Sequence, residues 1–289
     1  MIYDIEYSGW ALPKQVIKGN EIHFEIELID YADSTATDFH VEIDRAMCHM
    51  ANAYHAQPIY LALSGGLDSE YIANVLKRNK IRFIPISLKF DDYNNEELKW
   101  AERWCKKNGY TQNIVNVSPS KFLQYSVTNY HKEHLTNNIG CYVNMFLADY
   151  VEKKYNGVLL TGDGDPGGTW GYNKPDVAIN KNLEQTFNYW DVDFILQITR
   201  NGKHPRSAFS YFPNTVYSYM FCLDDKEEEQ RAKSKLFNIE IREKVDAFRS
   251  IPEWQKYYSD LIKYVKCKNL NIGTKQQALA WLDRRKTND

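Results

Sequence analysis

Five cysteines are scattered through 289 residues, Cys48, Cys105, Cys141, Cys222 and Cys267, and no two form a C-x-x-C pair. Iron–sulfur clusters, zinc ribbons and disulfide frameworks need closer or paired spacing, so none is expected. Reduced thiols in a cytoplasmic protein are expected instead. No apolar run approaches the ~20 residues that span a bilayer, which excludes a membrane-spanning helix. Met1-Ile2-Tyr3-Asp4-Ile5-Glu6 lacks the basic and apolar regions of a signal peptide. An excess of one charge is also missing: 36 Lys and Arg face 38 Asp and Glu, for a formal net charge of -2. Such a balance gives no global attraction to a membrane or to nucleic acid. Repeats and low-complexity tracts are absent.

What is present suits a packed globular core, with 43% hydrophobic and 26% charged residues. Residues 14–29 read as a β-hairpin turning at Gly19-Asn20, and residues 1–36 form an N-terminal segment around it. From Phe39 to Tyr54 apolar positions recur at helical spacing. Short apolar runs then alternate with amphipathic stretches. Ile59 to Leu63, Phe83 to Leu88, Ile114 to Val117 and Gly157 to Thr161 read as strands. Helices are expected at 69–78, at 96–108 with Gly109 as its stop, and at 141–155. Pro85 inside the second of these strands argues for a sheet edge or a bulge. Strand and helix alternating in this way predict an α/β fold, a Rossmann-like parallel sheet with helices on both faces, over residues 37–180. Strand signals fade after Tyr172. Helices are expected at about 183–198, 214–223, 226–247, 253–266 and 274–286, making residues 181–289 a helical part packed on the sheet.

The chemistry concentrates in Ser64-Gly65-Gly66-Leu67-Asp68-Ser69, between a buried strand and a helix. The glycines allow backbone N–H groups to approach an anion, and the following helix directs its positive end to the same place. Ser64 and Ser69 add hydroxyl donors. Asp68, a carboxylate among anion-binding groups, makes sense if it holds Mg²⁺ that bridges phosphates. The pattern is neither G-x-x-x-x-G-K-[ST] nor G-x-G-x-x-G.

The motif resembles the SGGxDS signature of the PP-loop ATP pyrophosphatase superfamily, in which the loop grips the pyrophosphate of ATP and a substrate is adenylated. Within it, the sequence is similar to the synthetase domain of asparagine synthetase and of β-lactam synthetase. The likeness runs from Phe39 through Leu61-Ala62-Leu63 and the loop to Ile84-Pro85-Ile86-Ser87-Leu88-Lys89-Phe90. It returns at Val158-Leu159-Leu160-Thr161-Gly162-Asp163-Gly164 and Gly171-Tyr172, with weaker echoes at Pro205-Arg206-Ser207-Ala208-Phe209 and Lys266-Cys267-Lys268. The resemblance implies an adenine nucleotide alpha hydrolase-like fold that binds ATP and Mg²⁺. By it, Leu63, Ser64, Gly65, Gly66, Asp68, Ser69 and Gly162 bind nucleotide, and Leu88 with its backbone seats adenine. Asp68 and Asp163 are catalytic, Asp68 and Asp165 hold metal, and Lys268 stabilises the adenylate-forming transition state, with Lys235 as second choice. The family's metal-binding Asp aligns with Pro166 unless the loop slips to Asp165.

The family's glutaminase domain, with its N-terminal cysteine nucleophile, has no counterpart, so the nitrogen donor is expected to be separate. The implied reaction joins a small-molecule carboxylate to ammonia or an amine through an adenylate. Two alternatives stay open at the level of sequence. One is a PP-loop enzyme activating a nucleobase carbonyl for amination or thiolation, which basic residues such as Arg284, Arg285 and Lys286 would favour on a nucleic-acid substrate. The other is a degenerate, non-catalytic nucleotide-binding module. His131 and His134 lack a third metal ligand at suitable spacing and are read as surface or capping residues.

Overall fold

A computed structural model describes residues 11–18, 21–28, 38–126, 129, 139–163, 206–209, 211–222, 228–242, 251–254 and 271–272. The hairpin consists of β1 (Ala11–Lys18) and β2 (Glu21–Leu28), paired antiparallel from Ala11 opposite Leu28 to Lys18 opposite Glu21. Helix α1 (Phe39–Ala53) follows, capped by Asp38, whose carboxylate accepts from His40 N–H at 2.7 Å and Val41 N–H at 3.2 Å. Strands and helices then alternate: β3 (Ile59–Ala62), α2 (Leu67–Arg78), β4 (Ile84–Lys89), α3 (Asn95–Asn108), β5 (Asn113–Asn116), α4 (Pro119–Ser126), α5 (Ile139–Tyr155) and β6 (Val158–Thr161), all of them as the sequence predicts except the two-turn α4, which is unexpected. Gly109 stops α3 in the left-handed region, at φ 74°.

The main sheet is wholly parallel, in the order β5-β4-β3-β6-β7, where β7 is Arg206–Ser207. Alternate strand residues face opposite ways, and the core divides accordingly. Ile59, Leu61 and Leu160 join one cluster with α1, α2 and α3, whereas Tyr60 and Leu159 join a second with α4 and α5. Helices therefore cover both faces, as the pattern of short, continuous apolar strands requires.

Three expectations need correction. Pro85 lies in β4, which pairs on both sides and is no edge. It is tolerated because β5 begins pairing only at Ile86, opposite Asn113, so the missing N–H falls just before that ladder starts. The carbonyl of Pro85 accepts instead from the Asn113 side chain at 3.2 Å. Secondly, strands occur where helical signals prevailed: β7 extends the main sheet, and β8 (Asn271–Ile272) pairs parallel with β2. Two-residue strands are too short to carry a period, so only their tertiary pairing identifies them. Thirdly, the helix expected over 226–247 is α7 (Glu229–Phe237), ended by Asn238 at φ 52°. Asn tolerates this conformation, and the Ile239 N–H closes the end on the Ser234 carbonyl at 3.0 Å.

Helix α6 (Pro213–Cys222) packs on α1. An aromatic group joins these elements: Phe39 lies 5.0 Å from Tyr219 and 5.6 Å from Tyr71, and Tyr71 stacks on Phe237 of α7 at 4.2 Å. Cys48, Cys105 and Cys222 are free thiols, and burial pushes that of Cys105 up to about 11. Among the described residues no helix is long and apolar enough to cross a membrane. Phe39, with no exposed surface, holds α1 against α2, α6 and α7. Phe39→Ala should lower stability by about 3–5 kcal/mol, seen as a lower urea midpoint at unchanged slope.

Candidate active site

Strand β3 stands where the connections change direction, with β4 and β5 on one side and β6 on the other. The loops leaving β3 and β6 consequently face each other at the carboxyl end of the sheet, where open α/β folds bind ligands. The loop after β3 is Leu63 to Gly66. Leu63 is buried and continues the strand: its N–H donates to Ile86 O at 2.8 Å, and its carbonyl accepts from Ser87 Oγ at 2.6 Å. The chain then turns through Gly65 at φ 94°, a conformation other residues adopt only with strain. A Cβ at Gly65 would also lie 2.0 Å from the Glu97 carbonyl oxygen of α3.

Gly66 is the N-cap of α2 and supplies no capping side chain. The two serines brace the loop from within: Ser64 N–H reaches Ser69 Oγ at 3.3 Å, the hydroxyls stand 3.1 Å apart, and Gly66 N–H donates to Ser64 Oγ at 3.3 Å. Ser69 Oγ donates to Gly66 O at 3.1 Å. The result is a glycine turn feeding a helix N-terminus, a donor set suited to the oxygens of a polyphosphate.

The loop after β6 closes onto this turn. A Cβ on Gly162 would come within 2.7 Å of Asp68 C and Ser69 N, so only glycine lets the first turn of α2 approach so closely. Asp163 follows and is fixed from two sides. Its carboxylate accepts from Asn144 Nδ2 of α5 at 2.6 Å, and its carbonyl accepts from Ser207 Oγ of β7 at 2.6 Å.

The carboxylates of α2's first turn meet cations from residues 228–242. Lys233 Nζ lies 3.2 Å from each oxygen of Asp68, and its side chain is only 3% exposed. Beyond α7, Arg242 donates from Nη1 to the Gly65 carbonyl and from Nη2 to the Glu70 carboxylate. The Arg242 guanidinium also stacks on Trp100, 4.5 Å from the ring centre, with that of Arg103 at 4.3 Å.

The asparagine synthase family profile matches residues 51–280. The chain belongs to the asparagine synthase family. It is therefore a member of the PP-loop ATP pyrophosphatase superfamily and an ATP-using enzyme of ligase type. No curated protein matches the sequence significantly. Among solved structures, it is similar to an NH3-dependent NAD synthetase from Campylobacter jejuni at 18% identity, covering 52% of this chain and 74% of that one, with a TM-score of 0.32. The U34-tRNA thiolase from Methanococcus maripaludis is 14% identical over 85% of this chain and 79% of its own, at a TM-score of 0.39. An NMN synthetase from Francisella tularensis is 13% identical over 80% and 96%, at 0.36.

Of the residues that family resemblance singles out, the fold gathers Ser64, Gly65, Gly66, Asp68, Ser69, Gly162 and Asp163 at one place. Leu88 lies elsewhere along the edge: its side chain is buried, and its carbonyl accepts from Asn94 Nδ2 at 2.9 Å. Asp165, Lys268, Gly164, Gly171, Tyr172, His131, His134, Arg284, Arg285 and Lys286 lie outside the described residues, as does the Arg206 side chain. Lys235, the second choice of lysine, is exposed, and Lys233 two residues earlier faces the loop.

Lys233 did carry a signal. Ala232, Lys233, Leu236 and Phe237 share one helical face, so a lysine falls on the apolar stripe of α7. Arg242 carries none, because it follows the helix end and reaches Gly65 only through the fold. Gly162→Ala should separate the two loops, costing about 1–3 kcal/mol of stability. The same variant should lose most of the thermal shift that Mg-ATP gives the unaltered chain, read by differential scanning fluorimetry.

Proposed function

We propose that this protein adenylates the carboxylate of a small-molecule substrate, releasing pyrophosphate, and transfers the activated acyl group to ammonia or an amine. The observation that carries the reading is the meeting of the Ser64–Ser69 turn with Gly162 and Asp163 at the switch point of an asparagine synthase-family sheet. ATP, with Mg²⁺, would supply the leaving pyrophosphate and the charge neutralisation its departure needs.

The residues at the turn suit that task. Backbone N–H groups around Gly65 and Gly66, and the hydroxyls of Ser64 and Ser69, would bind the β- and γ-phosphates. Asp68 would hold the metal, the role that one or two carboxylates fill beside phosphate oxygens in magnesium sites. Asp165 is proposed as its partner, and Asp163, oriented by Asn144, as the acid on the opposite loop. Leu63 and the backbone about Leu88 would border adenine, and Lys268 would stabilise charge in the adenylating transition state. A fixed positive end of α2 adds to that stabilisation without reorganising. Nitrogen would come from ammonia or a separate donor.

The test is a pyrophosphate-release screen with amino acids, other carboxylic acids and nucleosides, each with ammonia or an amine. Release that depends on a carboxylic acid supports the proposal. Release with a nucleoside alone, or with no substrate, overturns it. In the active combination, Asp68→Asn should reduce kcat by about 10²–10³-fold, with folding checked by circular dichroism because Asp68 is also the counter-charge of Lys233. Full activity in that variant would remove Asp68 from the chemistry.

A further inference from the structure

Arg242 meets the glycine turn at a single backbone atom. Its Nη1 donates to the carbonyl oxygen of Gly65, its Nη2 donates to the Glu70 carboxylate of α2, and its guanidinium lies over the Trp100 ring of α3, 4.5 Å from the centre. The side chain is 8% exposed, and its Nε is buried with no hydrogen-bond partner among the described residues. An arginine kept for stability alone would have that donor met, because an unmet buried donor carries its full desolvation cost. In return the side chain engages a carbonyl, a carboxylate and an indole at once, which a planar guanidinium can do and a lysine ammonium cannot.

The carbonyl it holds belongs to the peptide between Gly65 and Gly66. In a trans peptide the C=O and N–H point in opposite directions, so holding one aims the other. Here the Gly66 N–H faces Ser64 Oγ at 3.3 Å, on the side where the two serine hydroxyls meet. Neither residue has a Cβ, so little steric resistance opposes turning this peptide plane over. The flip would aim the Gly65 oxygen at the serine side and carry the Gly66 N–H away from it. An anion would then meet an acceptor in place of a donor. The long bond to Ser64 restrains the peptide weakly, whereas the charge-assisted bond from Arg242 is the stronger restraint.

We propose that Arg242 is a positioning residue for the nucleotide: it locks the Gly65–Gly66 peptide with its N–H toward the phosphates, acting through the backbone and not as a ligand. The inference rests on the reading of the Ser64–Ser69 turn as a polyphosphate site.

Isothermal titration of the full chain with Mg-ATP tests it, at a temperature where circular dichroism shows each variant folded. Arg242→Met should bind about tenfold more weakly, because only turns in the unflipped form bind and a charge-assisted hydrogen bond sets their fraction. Arg242→Lys should lose nearly as much, since it keeps the charge opposite Glu70 without the planar fork, and it decides the matter if Arg242→Met does not fold. Gly66 lies at φ -75° and ψ 162°, open to any residue, and a Cβ there would stand at an ordinary 3.4 Å from Ser64 Oγ. The flipped peptide needs a positive φ at residue 66, which alanine resists. In a Gly66→Ala background, Arg242→Met should therefore weaken binding by about twofold or less, a rescue that a merely structural arginine would not show. Unchanged affinity in folded Arg242→Met, or affinity kept by Arg242→Lys, overturns the inference and leaves the site assignment standing. An undiminished loss in the Gly66→Ala background overturns it equally. Absence of Mg-ATP binding by the unaltered chain removes the inference and the site assignment together.

Discussion

The first turn of α2 must fit against the end of β6, and the missing side chain at Gly162 is what allows it. With 2.7 Å between a notional Cβ and the α2 backbone, no other residue could occupy the position without displacing the helix. The glycine turn, the serine hydroxyls and Asp163 come together only because this contact is made. Gly65 imposes the matching constraint on the other side, where the turn runs directly under the α3 backbone. A loop confined between two backbones has little freedom to lose when it binds an anion, and such preorganisation favours electrostatic catalysis.

The same turn poses an electrostatic problem. Asp68 and Glu70 suit a helix N-terminus, since negative charge there complements the dipole. They are poor neighbours for phosphate. Residues 228–242 answer with one cation for each carboxylate, Lys233 for Asp68 and Arg242 for Glu70. These cations come from more than 150 residues further along the chain, as the separations of 165 and 172 show. Residues 228–242 therefore form a wall of the candidate site. The aromatic stack of Phe237 on Tyr71 sets the register between α7 and α2 and makes the charge pairing reproducible.

The strands and helices up to Thr161, apart from the short α4, could be read because each shows an apolar run or a period and is bounded by a recognisable stop, such as Gly109 or the turn at Gly65. The seven loop residues gathered at the switch point were legible for a related reason. A strand–turn–helix sequence with two glycines, two hydroxyls and an acid has few other physical uses. Pro85 misled because a local rule, that proline avoids central strands, ignores where the neighbouring ladder begins. Strands β7 and β8 had no local signal at all, being two residues each.

Local chemistry in the sequence by itself determined the α/β alternation, the glycine turn between strand and helix and the acid within it, because backbone conformation and apolar periodicity act between near neighbours. Tertiary structure alone decided which cation answers Asp68. Thirty-six basic side chains compete for that position in the sequence. Only the burial of Phe237 and the sharp end of α7 at Asn238 choose Lys233 over Lys235 and bring Arg242 back to Gly65. Pairing between residues so far apart depends on how helices pack, and packing is a property of the assembled core.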